Sequence, residues 1–272
     1  MIVVKITGGL GNQLFQYGMG RALAKHHNTA LKLDISEYRQ NQSRNFMLNC
    51  FHIPDLDTDI DDILDYPLYY YKQNGFHFNP EVKELPNDTY LVGFWQSEKF
   101  FNWKDCSLGN ELVIHEPLIG RVDHKSTEIQ NQNSVAVHIR RGDYLYLNNT
   151  ENNQPFFGTL PVEYYLRAIK FLSENNSSLK FYFFSDDIKW VQENMQVNYD
   201  HEFITGKVTA NDIEDFYLMS KCKYHIIANS SFSWWSAWLS NYNDKMVVAP
   251  ARWFNSSSAD TRDLIPSGWK MM

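Results

Sequence analysis

The sequence is poor in cysteine and has no long apolar run. Its three cysteines, Cys50, Cys106 and Cys222, lie far apart and form no CxxC pair, which argues against a disulfide framework and a zinc site. No segment approaches the roughly 18 uninterrupted apolar residues of a transmembrane helix, and the apolar run at residues 2–6 is too short for a signal peptide. We therefore expect a protein of the reducing cytoplasm with no transmembrane segment. Peripheral contact with the inner face of the membrane is left open.

The chain also lacks an excess of basic residues. Its formal net charge is −7 and its pI is about 5.7. Non-specific binding to nucleic acid needs a cationic surface that displaces counterions, so we expect no nucleic-acid partner. A local cationic pocket for one diphosphate is compatible with this charge. Neither GxGxxG nor GxxxxGK[ST] occurs, which makes a dinucleotide fingerprint and a P-loop weak interpretations.

Aromatic residues, in contrast, are abundant. Eight Trp, 16 Tyr and 18 Phe make up 15% of the chain, more than packing alone requires. We expect most of them to fill the core. The excess is also typical of a sugar-binding cleft, because aromatic rings cover the apolar C–H face of a pyranose.

The hydrophobic pattern predicts an α/β protein with two halves. Residues 39–86 show no clear period and are interpreted as helices and loops, whereas residues 121–133 are polar and typical of a linker. Strands alternate with helices as in parallel sheets. The predicted strands are residues 2–6, 30–34, 89–94, 135–139, 181–185, 224–228 and 246–249, and the predicted helices are residues 12–26, 161–175, 188–194, 212–221 and 232–239.

This order predicts two nucleotide-fold domains with a ligand cleft between them. The N-terminal α/β domain is predicted at residues 1–125 and the C-terminal α/β domain at residues 126–272. Open parallel sheets bind ligands beyond the carboxyl ends of their strands. The chemistry is therefore expected where polar residues follow predicted strands.

The sharpest segment is HIRRGDY at residues 138–144, which ends a buried strand. A guanidinium presents a fork of donors that matches phosphate oxygens. Because side chains alternate along a strand, His138 and Arg140 are predicted to share one face and Arg141 to lie on the other. One arginine can therefore face the cleft and bind phosphate while its neighbour supports the turn, and Asp143 and His138 are candidate general bases. An ion pair between Arg141 and Asp143 is the structural alternative.

Polar residues follow a second strand in FYFFSDD at residues 181–187. Ser185, Asp186 and Asp187 are candidate ligands of a nucleotide, because carboxylates and hydroxyls can accept hydrogen bonds from a ribose or a base. For Asp187 we favour another role, that of the N-cap of the helix that follows.

A third strand runs into ANSSFSWW at residues 228–235, which opens a helix. The N–H groups of a helix N-terminus bind anions, and serine hydroxyls add donors. The candidate ligands of a nucleotide phosphate at this helix start are therefore Asn229, Ser230, Ser231 and Ser233. Ordinary N-capping by the serines, with the tryptophans in the core, is the alternative.

Two segments of the first half complete the candidate site. TGGLGNQ at residues 7–13 is rich in glycine, and Gly8, Gly9 and Gly11 would allow a ligand to approach the backbone closely. GFWQSEKFF at residues 93–101 follows another predicted strand.

An acidic tract presents the Asp-x-Asp pattern that holds a divalent metal in some sugar-nucleotide enzymes. It contains Asp57, Asp59 and Asp61, and it follows no predicted strand that could hold it rigid. We therefore expect no metal site. Without a metal, an arginine must neutralise a leaving diphosphate, which agrees with Arg140.

Together these segments resemble the bacterial α-1,2-fucosyltransferases of glycosyltransferase family 11. The resemblance implies a two-domain GT-B fold, inversion at the anomeric carbon and no metal or other cofactor. It implies GDP-β-L-fucose as donor and the 2-hydroxyl of a terminal galactose, on an oligosaccharide or a glycolipid, as acceptor. It covers essentially the whole chain, and the matching segments occur in family order at residues 8–13, 93–101, 138–144, 184–187 and 229–235.

The resemblance also implies individual roles. Arg140 corresponds to the arginine that contacts the diphosphate, and Asp215 to the aspartate that binds the guanosine. Asn12 would lie near the reacting centre, and Trp95 and Gln96 are assigned to the acceptor. The family pattern does not specify the general base.

Two alternatives stay open. The first is another GDP-sugar transferase of the same fold. The second is a non-catalytic sugar-binding module, suggested by the aromatic content and by the Arg-Gly-Asp triplet at residues 141–143. Only an enzyme of this class is expected to bind GDP.

Overall fold

The computed structural model of the protein divides into two compact units. The first comprises Met1–His115 and Ala259–Pro266, and the second Glu116–Ser258 and Ser267–Met272. The second unit thus begins at Glu116, ahead of the boundary expected after residue 125. The described residues are 1–40, 44–54, 56–58, 67–104, 106, 108–146, 150–151, 154–256 and 258–272.

In its described residues the first unit contains a parallel sheet of four strands in the order β2-β1-β4-β3. The central strand β1 is short, rich in β-branched residues and almost entirely buried, as expected for a strand covered on both faces. The strands are β1 (Ile2–Lys5), β2 (Leu31–Asp34), β3 (Tyr69–Lys72) and β4 (Thr89–Val92), and the helices are α1 (Leu10–His27), α2 (Ser36–Gln40) and α3 (Leu108–Glu111).

Helix α1 packs directly on the sheet. A Cβ atom at Gly20 would clash with the side chains of Val4 and Leu31, so the glycine is what allows the helix to lie this close to β1 and β2. The helix ends at Asn28, which adopts the left-handed conformation and whose N–H caps the carbonyls of the last turn. This packing fixes the start of α1 beside the loop that follows β1.

The second unit contains a parallel sheet of six described strands in the order β12-β11-β10-β5-β8-β9, with β6 and β7 in a separate antiparallel pair. The strands are β5 (Asn133–Ile139), β6 (Thr150–Glu151), β7 (Gln154–Pro155), β8 (Leu179–Ser185), β9 (His201–Phe203), β10 (Tyr224–Ile226), β11 (Val247–Ala249) and β12 (Lys270–Met271). The helices are α4 (Asp123–Gln130), α5 (Val162–Asn175), α6 (Ile188–Asn194), α7 (Asp212–Ser220) and α8 (Ser231–Trp238).

The core of the second unit lies between the sheet and α5. Alternate residues of β5 and β8 are fully buried in one hydrophobic cluster with Tyr165, Ala168, Ile169 and Leu172. These four residues recur at the spacing of one helix face. The cluster holds β5 and β8 side by side, so their carboxyl ends, with Arg140 and Asp186, meet at one edge of the sheet.

The predicted α/β class is confirmed, and most predicted elements are present within a few residues. Five strands were not predicted: β3, β6, β7, β9 and β12. β3 lies in the stretch interpreted as irregular; it is an edge strand whose tyrosines are largely exposed, so no buried apolar run marks it. The polar stretch predicted as a linker is mainly the helix α4. In the described ranges, no helix combines the length and apolar character needed to cross a membrane.

Candidate functional site

Arg140 lies just beyond β5 and is held by two carboxylates. Its Nη2 donates to Asp143 Oδ1 at 2.6 Å, and its Nη1 lies 2.8 Å from Asp186 Oδ2. The guanidinium carbon is 5.4 Å from the centre of the Tyr144 ring. The side chain is 20% exposed, so a ligand can reach it. Both prongs of the guanidinium are therefore oriented before any ligand binds.

Arg141 has different partners, as strand alternation predicts. Its Nε donates to Asp187 Oδ2 at 3.1 Å, and its guanidinium lies 3.5 Å from the centre of the Trp190 ring. The expected alternative, an ion pair between Arg141 and Asp143, is wrong because Asp143 binds Arg140. Asp187 also accepts the N–H of Trp190 at 3.3 Å, which confirms it as the N-cap of α6.

Asp186 braces the turn that carries both arginines. Its Oδ1 accepts the backbone N–H of Arg141 at 2.9 Å, while its Oδ2 contacts Arg140. A Cβ atom at Gly142 would lie 2.5 Å from the same Oδ2, so only glycine leaves room for this carboxylate. From the sequence, Asp186 is a candidate ligand of the sugar-nucleotide donor. In the structure one oxygen holds the backbone of Arg141 and the other the side chain of Arg140, and Gly142 is the residue in the sequence that indicates this close approach.

Ser185 and His138 are less available than predicted. The Ser185 hydroxyl accepts the N–H of Asp187 at 3.0 Å, which fixes the turn after β8. His138 is 5% exposed and packs against Phe232. Burial, and then the charge of Arg140, lower the pKa of His138 to about 3. A neutral imidazole with so low a pKa is a weak general base.

Asp215 lies in the first turn of α7 with an unsatisfied carboxylate oxygen. Its Oδ1 is buried and has no hydrogen-bond partner among the described residues. Burial raises the pKa of Asp215 to about 6, against the opposing effect of a hydrogen bond with Thr209. The neighbouring Glu214, in contrast, pairs with Arg121 at 2.8 Å. A buried oxygen without a partner is costly, so Asp215 suits a ligand that brings an N–H donor.

The residues that open α8 divide into two groups. Asn229 donates from Nδ2 to the carbonyls of Gly158 and Trp253 at 2.9 and 3.0 Å, which ties two loops together. Ser233 is fully buried and donates to the Ser230 carbonyl at 3.2 Å. Asn229 Nδ2 and the Ser233 hydroxyl thus have structural partners, whereas Asn229 Oδ1 is buried without a hydrogen-bond partner among the described residues. Ser230, in the N-cap position, and Ser231, the first helical residue, remain at the helix start. The alternative that the tryptophans of this segment lie in the core is confirmed for Trp234 and Trp235.

The glycine-rich loop of the first unit is built around Gly8. Gly8 has a φ of +77°, and a Cβ there would lie 2.8 Å from Asn12 Nδ2. Its carbonyl accepts hydrogen bonds from Gln13 Nε2 and from the Tyr38 hydroxyl. Gly9 is the N-cap of α1, whereas Gly11 is a buried residue inside the helix and not part of the loop. The close approach of backbone to Asn12 therefore depends on Gly8.

The segment after β4 orients Asn12. Gln96 Nε2 donates to Asn12 Oδ1 at 2.8 Å, and Gln96 is itself buried. Trp95 before it has a φ of +55°, a strained conformation for a residue with a side chain. Trp95 is 0% exposed and packs against Phe100. In this arrangement the Trp95 ring is not exposed to an acceptor, to which the resemblance assigns this residue.

Gln73 holds this strained segment and was missed by sequence analysis. Its Oε1 accepts the N–H groups of Phe94 and Trp95 at 2.9 and 2.8 Å. A Cβ atom at Gly93 would lie 2.6 Å from the Gln73 side chain. The strain at Trp95 is therefore supported by a specific side chain, in the way typical of functional segments.

The described residues contain no group of three or more His, Cys, Asp or Glu placed to hold a metal ion. Asp57 pairs with Lys32 at 3.0 Å. Asp59 and Asp61, the other members of the Asp-x-Asp pattern, lie outside the described residues.

Comparison with known proteins covers the whole chain. Residues 1–272 match the family described as glycosyl transferase family 11. The chain is 34% identical to the alpha-1,2-colitosyltransferase of Escherichia coli, over 99% of this chain and 98% of that protein. It is 30% identical to the O-antigen biosynthesis glycosyltransferase WbnK of E. coli, over 95% and 97%. It is 24% identical to the galactoside alpha-(1,2)-fucosyltransferase 2 of Hylobates lar, over 88% and 69%.

The fold is similar to those of two solved fucosyltransferases. NodZ from Bradyrhizobium aligns with a TM-score of 0.57 at 15% identity, over 88% of this chain and 92% of that one. POFUT1 in complex with GDP-fucose aligns with a TM-score of 0.55 at 13% identity, over 89% and 94%. At these identities the likeness concerns the fold alone. With the two parallel sheets, it confirms the predicted GT-B type.

Proposed function

The chain belongs to glycosyl transferase family 11, and we propose that it is an inverting α-1,2-fucosyltransferase. It would move L-fucose from GDP-β-L-fucose to the 2-hydroxyl of a terminal galactose on an oligosaccharide or a glycolipid. The names of two relatives, a colitosyltransferase and a galactoside fucosyltransferase, support the α-1,2 linkage. The complex of POFUT1 with GDP-fucose, in the same fold, supports the donor.

The orientation of the Arg140 guanidinium is the observation that supports this proposal most. Cleavage of the donor places negative charge on the departing GDP while the fucosyl ring gains oxocarbenium character. A guanidinium already oriented by Asp143 and Asp186 does not have to reorganise as this charge develops. Its interaction therefore strengthens in the transition state, which is the condition for a contribution to kcat. The N-terminus of α8 adds the positive end of a helix dipole.

Asp215 is the proposed guanosine ligand. Guanine presents N–H donors on its Watson–Crick edge, and these match a carboxylate with one buried, unsatisfied oxygen. The neighbouring Glu214 is engaged by Arg121 and by the N–H of Ala210, so it holds the start of α7 in place. This division leaves Asp215 for the ligand.

The acceptor hydroxyl must lose a proton, and Asp143 is the better of the two candidate bases. Its side chain is 33% exposed, so it can exchange protons with solvent. His138 is only 5% exposed, so an acceptor hydroxyl has little access to its ring nitrogens. In the first unit, Asn12 is proposed to lie near the reacting centre, with its amide oriented by Gln96.

We further propose that the reaction needs no metal ion and no other cofactor, because Arg140 and α8 supply the positive charge. The test is to measure initial rates of transfer in EDTA and after addition of Mg²⁺ or Mn²⁺. Equal rates are expected. Activity abolished by EDTA and restored by either metal would overturn metal independence.

A second candidate is an α-1,2-colitosyltransferase, and the E. coli relative favours it. Colitose is fucose without its 3-hydroxyl, so a fucose site with a polar partner for this hydroxyl would discriminate against it. The deciding experiment offers GDP-fucose and GDP-colitose separately to the purified protein with β-galactoside acceptors, and compares kcat/KM. A higher value for GDP-fucose supports the proposal, and a higher value for GDP-colitose supports the alternative.

The remaining alternative, a non-catalytic sugar-binding module, differs from a transferase in its response to GDP. The proposed enzyme should gain thermal stability with GDP, since a ligand that binds the folded state stabilises it by mass action. A module that binds only sugar should not. An unchanged melting temperature at millimolar GDP would count against the transferase.

A further inference from the structure

A small cavity lies at the carboxyl edge of the sheet in the first unit, just beyond β3. Its volume is about 70 Å³, more than one water needs and enough for a hydroxymethyl group. Because β1, β4 and β3 run parallel, the cavity is on the same edge as Gly8 and Gln96. This is the edge at which open α/β sheets bind ligands.

Gln73 supplies the first polar group of the cavity. Its Oε1 accepts two backbone N–H groups, from Phe94 and Trp95, and this fixes which end of the amide is oxygen. Nε2, with its two hydrogens, therefore points the other way. It is buried and has no hydrogen-bond partner among the described residues. A buried donor in this state is matched by a ligand that brings an oxygen acceptor.

His77 supplies the second polar group. Its Nδ1 atom is also buried without a hydrogen-bond partner in the described part of the chain, although the side chain as a whole is 44% exposed. A carboxylate oxygen of Asp260 lies 3.9 Å from Nδ1, at the outer limit of an ion pair. The next residue, Phe78, donates its backbone N–H to Asp263 at 3.0 Å. This hydrogen bond anchors the loop that carries the imidazole.

The remaining wall combines apolar and polar side chains, and it includes Val82 and the amides Asn74 and Asn79. Tyr71 and Phe100 line the cavity beside Gln73 and His77. Aromatic surface next to a few converging polar atoms is the pattern of a carbohydrate subsite, because it covers C–H groups and binds hydroxyls at the same time.

We propose that this cavity is a subsite for the carbohydrate acceptor and that it binds a hydroxyl-bearing substituent of the glycan. Gln73 Nε2 donates a hydrogen bond to the oxygen of this hydroxyl. His77 Nδ1 is the second hydrogen-bond partner of the same hydroxyl. The inference rests on the proposed function, in which the acceptor is a galactoside. It also explains why Gln73 holds Trp95 in a strained conformation: the same side chain ties the subsite to Gln96, which orients Asn12.

Two variants separate the binding role of the cavity from its structural role. Gln73→Glu keeps a side-chain oxygen for the N–H groups of Phe94 and Trp95 and replaces the Nε2 donor with a second oxygen. His77→Phe keeps an aromatic ring and removes Nδ1. Gln130→Glu, on an exposed position of α4, is the matched control for the change of charge.

The experiment measures binding of lactose and of N-acetyllactosamine by NMR titration in the presence of saturating GDP. Gln73→Glu and His77→Phe are each expected to raise the Kd of the sugar about threefold to tenfold, the loss of one hydrogen bond. The Kd of GDP, measured separately, should stay unchanged in both. The control variant should match the wild type in both measurements.

If the cavity holds only water, the His77→Phe variant should bind the sugars as tightly as the wild type. That result would overturn the subsite. So would a wild-type protein that binds neither sugar. Transfer from GDP-fucose is assayed in parallel and tests the proposed function by itself. Transfer with unchanged sugar affinity in the variants removes only the subsite. Weakened sugar binding in the variants, without transfer from GDP-fucose, removes only the proposed donor.

Discussion

Replacement of Arg140 by alanine is expected to lower kcat about 10²–10³-fold, or about 2.7–4 kcal/mol of transition-state stabilisation. The guanidinium is held at 2.6 Å by Asp143 and at 2.8 Å by Asp186, so its charge is in place before the donor bond breaks. The donor KM should rise less than kcat falls, because the interaction strengthens as GDP departs. Some rise is expected, since the variant leaves two carboxylates near the diphosphate without their counter-charge.

Lysine at this position tests the geometry apart from the charge. A lysine ammonium is a single point charge and cannot bind two carboxylates as a planar fork does. Arg140→Lys should therefore recover less than about tenfold of the lost kcat. Full recovery would mean that a positive charge alone is needed at this edge of the sheet.

Arg141 is the matched control, one residue along the chain. It pairs with Asp187 and stacks on the ring of Trp190. Arg141→Ala should lower the free energy of unfolding by about 1–2 kcal/mol, discounted for the partial exposure of the pair, and the Tm by about 2–8 °C. Its kcat should stay within about threefold of wild type.

The assay determines kcat, donor KM and Tm for the Ala and Lys variants at both Arg140 and Arg141, after circular dichroism has confirmed folding. A folded Arg140→Ala enzyme that keeps more than about a tenth of wild-type kcat, less than ~1.4 kcal/mol of barrier, refutes the assignment. A large loss of kcat in Arg141→Ala would show that the wrong arginine was placed at the diphosphate.

Three further outcomes are expected. Asp215→Ala should raise the donor KM about tenfold to hundredfold with little change in kcat, because a hydrogen bond to a charged group contributes about 1.5–3 kcal/mol; an unchanged KM would remove Asp215 from the site. GDP affinity, measured by calorimetry, should fall as the pH drops below about 6, since burial raises the pKa of Asp215 to about 6 and the protonated acid is a poorer acceptor; Asp215→Asn should lose this dependence. Gly142→Ala should lower kcat at least about tenfold by displacing Asp186 from Arg140. Gly120→Ala is the control and should leave kcat unchanged, because a Cβ there meets no neighbour. Equal kcat values in the two variants would contradict the role of Asp186 in positioning Arg140.

The features predicted well from the sequence are those set by local geometry. The different partners of Arg140 and Arg141 follow from side-chain alternation along a strand. The N-cap role of Asp187 follows from its position before a helix. Each depends only on neighbours within a few residues, so the sequence contains the relevant information.

The features that were missed depend on contacts between distant segments. Asn229 Nδ2 and the Ser233 hydroxyl bind backbone carbonyls, which the sequence does not predict, because a cluster of amides and hydroxyls has the same pattern whether it faces a ligand or the protein interior. Gln73 has no local signal, because its importance comes from Phe94 and Trp95, which reach it through the pairing of β3 with β4. Long-range packing of this kind cannot be inferred from periodicity or spacing.

The most direct test of the central claim is a transfer reaction with purified protein, GDP-fucose and lactose in the presence of EDTA, with the product linkage determined by NMR. We expect one fucosylated product, with an α-anomeric proton that correlates with C2 of galactose, formed at the same rate without the chelator. A product linked at any other galactose carbon, or no product from GDP-fucose where GDP-colitose gives one, would contradict it.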